Sequence, residues 1–192
     1  DGSYNSDTYK YCAGYQHQDS TIIGFAHTNF SGTGHSDLGD FLVMPTTGEL
    51  VLDPILTSEQ GKGFYSAFSH DREQASPGYY QVNLDSYNIQ AELTASSRVG
   101  YHKYTFPKSA QATLILDLEH RDEVLESELQ ITAKNEVVGF RRSKAWATDQ
   151  YLYFVAQSSR TQKLNHHLSL FNSFNILVVA KIIRRQKEGS RL

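Results

Sequence analysis

The chain has 192 residues, of which 39% are hydrophobic, and a formal net charge of −3. This length suits one domain with a sizeable core, and 12 Tyr and 10 Phe supply much of the apolar area, which excludes disorder over most of the chain. A single cysteine excludes a disulfide framework and a cysteine-based zinc site, and the longest apolar run, 176–180, is far below the ~20 residues of a membrane helix.

The body of the chain is predicted to form strands, because short runs rich in β-branched and aromatic residues alternate with turn residues. Strands are predicted at 40–44, 79–84, 89–95, 99–106, 112–118, 128–132, 137–142 and 151–156. No window before residue 158 is a convincing amphipathic helix, and the best candidate, 119–128, has too few apolar residues for more than a turn or two. Short turns without βαβ alternation predict an all-β fold, a two-sheet antiparallel β-sandwich.

Residues 25–40, FAHTNFSGTGHSDLGD, interrupt this pattern near the N-terminus. Three Gly, two Ser and two Thr within the segment argue against both a regular strand and a core helix, so an irregular Gly-rich loop is predicted. Gly32 and Gly34 have the spacing of a phosphate-binding loop. The segment lacks the strand–loop–helix setting and the Lys that such loops require.

Several motifs in series carry a resemblance to a known family. The segment 24–45, GFAHTNFSGTGHSDLGDFLVMP, is similar to the signature of the N-terminal domain of glycoside hydrolase family 92. Further matching motifs follow in order: FSH at 68–70, ASPGYY at 75–80, AELTA at 91–95, RVG at 98–100, YTFP at 104–107, and GFRRS with WA at 139–147. The resemblance runs from residue 15 to residue 156, almost without gaps.

The resemblance implies a role in a bacterial, calcium-dependent exo-α-mannosidase that trims N-glycans or yeast mannan with inversion. Members have an N-terminal β-sandwich and a C-terminal (α/α)6 barrel, and the barrel carries the catalytic acid, the catalytic base and most calcium contacts. The expected function is therefore that of a non-catalytic domain that packs on the barrel and completes the mannose site, inactive alone. No catalytic residue, metal ligand or bound calcium is expected in this chain itself. A stand-alone carbohydrate-binding β-sandwich module is the alternative.

The resemblance also implies where sugar contacts or domain contacts lie. The candidate residues are those of the signature loop, His27, Ser31, Gly32, Thr33, Gly34 and Asp37, together with Tyr11 and Cys12, where the family often has an aromatic segment. The alternative is an ordered loop whose polar groups satisfy one another, with the aromatics packed on the sandwich edge. Asp37 and Asp40 are interpreted as loop-capping groups. An inverting glycosidase needs two carboxyls that admit water between them, and the family places these on the barrel.

Two arginines and a tryptophan, Arg141, Arg142 and Trp146, form a second candidate cluster at the domain interface. Alternating exposure along a strand predicts, as the favoured alternative, that one Arg of the pair simply points outward.

The C-terminal segment differs in charge from the body. Seven Lys or Arg and one Glu lie in 160–192, which leaves eleven bases and twenty acids before it, so the segment carries +6 and the body −9. The predicted division is a family domain at 1–158, incomplete at its start, and a basic non-family tail at 159–192, as a shifted reading frame or mispredicted gene end produces. We expect a loosely attached tail rather than an added strand.

Partners and location follow from the same observations. The acidic body and the lack of aromatics interleaved with the tail's basic residues argue against nucleic acid. The chain opens on the polar run DGSYNSDTYK without a signal peptide, whereas the parent family is periplasmic or secreted.

Overall fold

The computed structural model describes residues 15–29, 38–52, 64–109, 111–145, 147–159 and 174–184, with the backbone alone at 29, 38 and 174–184. Strands make up most of these ranges, and the only helical turn among them is a 3-10 helix at His70–Arg72. No helix in the described part of the chain is long and apolar enough to cross a membrane.

Thirteen strands lie in the described ranges. They are β1 Thr21–Ile22, β2 Phe25–Asn29, β3 Leu38–Thr47, β4 Ser66–Ala67, β5 Glu73–Ser76, β6 Tyr79–Leu84, β7 Ile89–Ala95, β8 Val99–Thr105, β9 Ala112–Asp117, β10 Glu123–Ala133, β11 Glu136–Lys144, β12 Gln150–Ser158 and β13 Phe174–Arg184. Every strand pair is antiparallel. They form an eight-stranded sheet ordered β10-β11-β12-β13-β8-β7-β6-β5, a three-stranded sheet ordered β2-β3-β9, and the pair β1-β4.

The two larger sheets face each other across the hydrophobic core. Phe41 of β3 packs on Phe154 of β12 with ring centroids 4.2 Å apart, and Phe25 of β2 lies 6.2 Å from Tyr104 of β8. Phe41 and Tyr104 are fully buried. Large aromatic side chains thus supply the contact between the layers. The fold is the all-β antiparallel sandwich that the sequence predicts.

All eight predicted strands are present, and the turn chemistry explains their connections. Gly78, with φ of 79°, turns the chain between β5 and β6, and Asn88, with φ of 50°, does so between β6 and β7. Gly and Asn tolerate this left-handed region better than other residues. The predicted helical candidate 119–128 is instead a bend followed by the first half of β10.

The predicted irregular segment 25–40 is shorter than expected, because residues 25–29 form strand β2. This strand pairs with β3 through Phe25, Ala26 and His27, and its register shifts between His27 and Asn29. Thr28 at this shift has φ of 65°. The strand is short and polar and its pairing is interrupted at this shift, so its composition alone argued against a regular strand.

The prediction of a loose tail is wrong for 174–184. β13 lies between β12 and β8 and is hydrogen-bonded to both. Its register with β12 runs from Ser158↔Ile176 to Gln150↔Arg184. Its register with β8 runs from Phe174↔Tyr104 to Val179↔Val99. Without it, β12 and β8 would each present an unpaired edge inside the sheet. The apolar run 176–180 therefore lies in a strand that completes the sheet.

Candidate functional site

The signature loop is framed by two neighbouring strands. β2 ends at Asn29 and β3 begins at Leu38, and the two pair antiparallel, so the loop leaves and re-enters the same sheet. Of the predicted site residues, His27 lies on β2 and is described. The others, Tyr11, Cys12, Ser31, Gly32, Thr33, Gly34 and Asp37, lie outside the described residues. The structure therefore reports on the two stems of the loop.

The exit stem of the loop, the start of β3, is held by a buried ion pair. Asp40 of β3 accepts a hydrogen bond of 2.6 Å from Nη1 of Arg141 on β11, and the side chains of both residues are almost completely buried. Gln150 donates to both carboxylate oxygens at 3.1 and 3.3 Å, and Ser143 lies 3.4 Å away. The second guanidinium nitrogen of Arg141 donates to the carbonyl of Arg121. Buried charges persist only when they are paired in this way.

The entry stem of the loop, the end of β2, is held by a pair of histidines. The rings of His27 on β2 and His102 on β8 stack at 4.8 Å with an interplanar angle of 10°. Their Nε2 atoms are 3.0 Å apart, His27 Nδ1 lies 3.1 Å from the carbonyl of Phe41, and His102 Nδ1 lies 2.7 Å from the hydroxyl of Tyr104. Both ring nitrogens of His27 are thus occupied by protein atoms.

Burial keeps these two imidazoles uncharged. Burial lowers the pKa of His27, and the hydrogen bond to the Phe41 carbonyl offsets only part of this effect. Burial, followed by the neighbouring His27, lowers the pKa of His102 to about 3. A neutral imidazole is the form that a low-dielectric interior favours.

Thr28 connects the two stems. Its hydroxyl lies 2.5 Å from the carbonyl of His27 and 3.3 Å from Oδ2 of Asp40. The bulge at Thr28 turns this side chain toward β3 instead of continuing the alternation of β2. The loop therefore begins and ends on backbone that is tied to the eight-stranded sheet at two places.

The predicted arginine cluster is divided by the strand. Arg141 points inward to Asp40, whereas Arg142 points outward, donates to Asp149 at 2.8 and 3.3 Å, and lies 5.3 Å from the ring of Tyr151. The alternative of one inward and one outward arginine is confirmed for these two residues. Trp146, the third predicted member, lies outside the described residues.

Residues 15–17 contact the edge strand β5 of the eight-stranded sheet and the helical turn before it. Tyr15 donates a hydrogen bond of 3.1 Å to Glu73, and the ring of His17 stacks on that of His70 at 4.2 Å. His70 approaches Glu73 at 2.5 Å through Nδ1 and the carbonyl of His17 at 2.6 Å through Nε2. Both acceptors require a proton from the ring, and the hydrogen bond to Glu73 raises the pKa of His70.

Sequence reasoning missed His102 and Tyr104, which hold the entry stem. A signal was present, because the two residues are separated by two positions in a strand that was predicted correctly, and alternation puts them on one face. Which face is buried, and that His27 lies opposite, depends on the packing of two sheets that are distant in sequence. Asp40 was interpreted as a loop cap, and its partner 101 residues away was not recognised.

The acidic residue that precedes the apolar run of β3 is not free to act in catalysis. Asp40 is fully buried and ion-paired, so it has no access to a sugar or to the water that an inverting mechanism requires. Within the described ranges, no group of three or more His, Cys, Asp or Glu side chains is placed to hold a metal ion.

Comparison with known proteins decides the family. The family model described as the glycosyl hydrolase family 92 N-terminal domain matches residues 3–174. The chain belongs to glycosyl hydrolase family 92. The matched range ends at residue 174 and so includes part of the segment after residue 158, which the sequence analysis assigned to a non-family tail. No curated protein matches the chain significantly.

Solved structures of family 92 enzymes share the fold. Two structures of a family 92 α-mannosidase from Bacteroides thetaiotaomicron, one of them in complex with mannoimidazole, match 91% of this family 92 chain with 29% identity and a TM-score of 0.76. Another family 92 glycosyl hydrolase matches 87% of the chain with 26% identity and a TM-score of 0.69. The chain spans 27–28% of the length of these structures, about a quarter.

Proposed function

We propose that this chain is the non-catalytic N-terminal domain of an inverting exo-α-mannosidase of the α-1,2-mannosidase type. In this proposal the sandwich packs on an (α/α)6 barrel, and the signature loop completes the mannose site there. The chain alone is then inactive, because the general acid and general base belong to the barrel. The match to an α-mannosidase solved with mannoimidazole supports the substrate class.

The observation that carries this proposal is the anchoring of both stems of the signature loop. Residues 30–37 run between His27, which is stacked on His102, and Asp40, which is paired with Arg141. The two stems fix where this Ser-, Thr- and Gly-containing segment leaves and re-enters the sheet. Sites need such preorganisation, because misplacement of a contacting group by ~1 Å can lower a rate by about 10²-fold.

The inaccessible carboxylate of Asp40 supports a non-catalytic role. It is the described acidic residue nearest to the loop in sequence, and the guanidinium of Arg141 and the amide of Gln150 occupy its oxygens. A general base must reach the water that it activates. Hydrolysis by this enzyme is therefore assigned to carboxylates of the barrel.

Further properties of the parent enzyme are part of the same proposal. The enzyme is bacterial, acts on N-glycans or related mannans in the periplasm or outside the cell, and requires calcium. Calcium is held mainly by the barrel, where it would help to bind and orient the sugar. The residues of this chain that take part are those of the loop, through its hydroxyl and backbone groups.

A domain exchange tests this proposal. The N-terminal sandwich of the Bacteroides thetaiotaomicron α-mannosidase is replaced by this chain, and aryl α-mannoside hydrolysis is measured in calcium. We expect the chimera to turn over substrate. Replacing its residues 30–37 by a Gly-Ser segment of equal length should lower this turnover by at least about tenfold, or ~1.4 kcal/mol of transition-state stabilisation. The relative's own sandwich, excised and joined again at the same junctions, is the control. Equal turnover with either loop would exclude a role in the site, and binding of methyl α-mannoside by the chain alone would favour a carbohydrate-binding module.

A further inference from the structure

The hydrogen bonds that join the side chains of His27, His102 and Tyr104 can run in only one direction. The carbonyl of Phe41 can only accept, so Nδ1 of His27 carries a proton, and Nε2 of this neutral ring is left as an acceptor. Nε2 of His102, 3.0 Å away, must then donate, which leaves its Nδ1 to accept from the hydroxyl of Tyr104. Each tautomer is assigned from these partners.

Adding a proton to this chain disrupts it. A proton on Nε2 of His27 faces the N–H of His102, and the pair can re-form only if His102 moves its own proton to Nδ1. The hydroxyl of Tyr104 then has to accept, and its own proton loses the acceptor in a fully buried position. An unsatisfied buried donor and a buried charge are both unfavourable. Burial lowers the pKa of both histidines, consistent with the same neutral state.

The fold provides space for the histidine pair at one glycine. A Cβ atom on Gly100 of β8 would lie 2.7 Å from Nε2 and 2.9 Å from Cδ2 of His27. Real Cβ atoms do not approach a ring this closely, so the ring of His27 rests against bare backbone. This arrangement brings β2 against β8 at the position where the loop begins.

We propose that His102 and Tyr104 are positioning residues for the signature loop, which orient His27 through a hydrogen-bond chain that runs from the Tyr104 hydroxyl to the Phe41 carbonyl. The role of the loop rests on the proposed function above, whereas the chain of tautomers does not. His27 then serves the site by fixing the end of β2, from which the loop starts. Its ring nitrogens are directed to protein atoms instead of to a sugar hydroxyl.

Nitrogen NMR of the histidine rings in the intact chain tests the proposal directly. The expected result is a protonated Nδ1 and an unprotonated Nε2 for His27, with the reverse for His102. Free imidazole favours a proton on Nε2, so the His27 state is diagnostic. A proton on Nε2 of His27 near neutral pH, or a charged His102, would overturn the proposal whatever the variants show.

Variants separate positioning from packing. His102→Gln retains an N–H for His27 and an acceptor for Tyr104, so Nε2 of His27 should keep the resonance of a hydrogen-bonded acceptor, whereas His102→Leu removes this donor and should shift that resonance. Tyr104→Phe, compared with Tyr101→Phe on the exposed face of the same strand, should shift the ring resonances of His27 and the amide resonances of 30–37. Equal ring and loop spectra for His102→Gln and His102→Leu would mean that the ring only fills space.

The outcomes also distinguish the two proposals. A chimeric enzyme whose turnover ignores the loop would end the proposed function and leave the tautomer assignment intact. Wrong tautomers in a chimera that does depend on the loop would end the positioning proposal alone. If a variant does not fold, the wild-type ring spectrum still decides.

Discussion

Asp40→Asn is expected to destabilise the domain far more than the loss of a similar ion pair at the surface. Asp40 and Arg141 approach to 2.6 Å and their side chains are 1% and 0% exposed. The isosteric change keeps the shape but removes the charge, so the guanidinium stays buried without a counter-charge. Breaking a buried pair in this way costs roughly 3–5 kcal/mol.

The surroundings place the expected loss at the lower end of that range. Nε of Arg141 and Oε1 of Gln150 are buried and make no hydrogen bond within the described residues, so the native network is already not fully satisfied. The amide introduced by Asp40→Asn retains one oxygen that Arg141 can still reach. With roughly 2–4 °C per kcal/mol for a domain of this size, a loss of about 3 kcal/mol lowers the melting temperature by about 6–12 °C.

Glu92→Gln is the matched control. Glu92 and Lys103 also approach to 2.6 Å, but their side chains are 20% and 45% exposed. An exposed pair contributes about 0–1 kcal/mol, so its melting temperature should fall by no more than about 4 °C. Thermal unfolding followed by circular dichroism compares the two variants. A fall in Asp40→Asn no larger than in Glu92→Gln would refute the reasoning that burial determines the strength of this pair.

Three further predictions concern pH, packing and the last strand. Burial lowers the pKa of His102 to about 3, whereas in the unfolded chain this histidine has its ordinary pKa of ~6.5, so the unfolded chain binds more protons between these two values. The free energy of unfolding should therefore fall as the pH drops from about 6.5 toward 3. Urea unfolding checks this, and an undiminished fall in His102→Gln would contradict it. Gly139→Ala should lose about 1–3 kcal/mol in the same assay, because its Cβ would lie 2.5 Å from the Glu128 carbonyl and 2.6 Å from the Phe154 ring; unchanged stability would show that the backbone yields. Deleting 174–184 should abolish cooperative thermal unfolding or cause aggregation, since β12 and β8 lose their shared neighbour; a melting temperature within about 2 °C of the full chain would contradict the strand order.

The strands that sequence reasoning predicts are those whose local pattern agrees with their packing. In β7, Ile89 and Ala91 are buried while Gln90 and Glu92 are partly exposed, which is the alternation that the sequence displays. β2 was missed because polar residues and a bulge at Thr28 hide its pairing with β3. Its strand character depends on a partner and not on its own composition.

The site could be predicted in part. The loop was located from its motifs, and the inward and outward orientation of Arg141 and Arg142 follows from strand alternation. The contacts that hold the stems could not be predicted, because Asp40 meets Arg141 and His27 meets His102 only after the two sheets stack. β13 was placed wrongly for a similar reason, since its hydrogen bonds join strands far apart along the chain.

The central claim, that this family 92 domain is non-catalytic by itself, is tested most directly by assaying the purified chain with an aryl α-mannoside in calcium. The account predicts no hydrolysis above that of a buffer control, because it places the general acid and base on the barrel, and Asp40, the described acidic residue nearest to the loop in sequence, is buried and paired with Arg141. Turnover that survives further purification and disappears in Asp37→Asn would contradict the account and would place the chemistry in this domain.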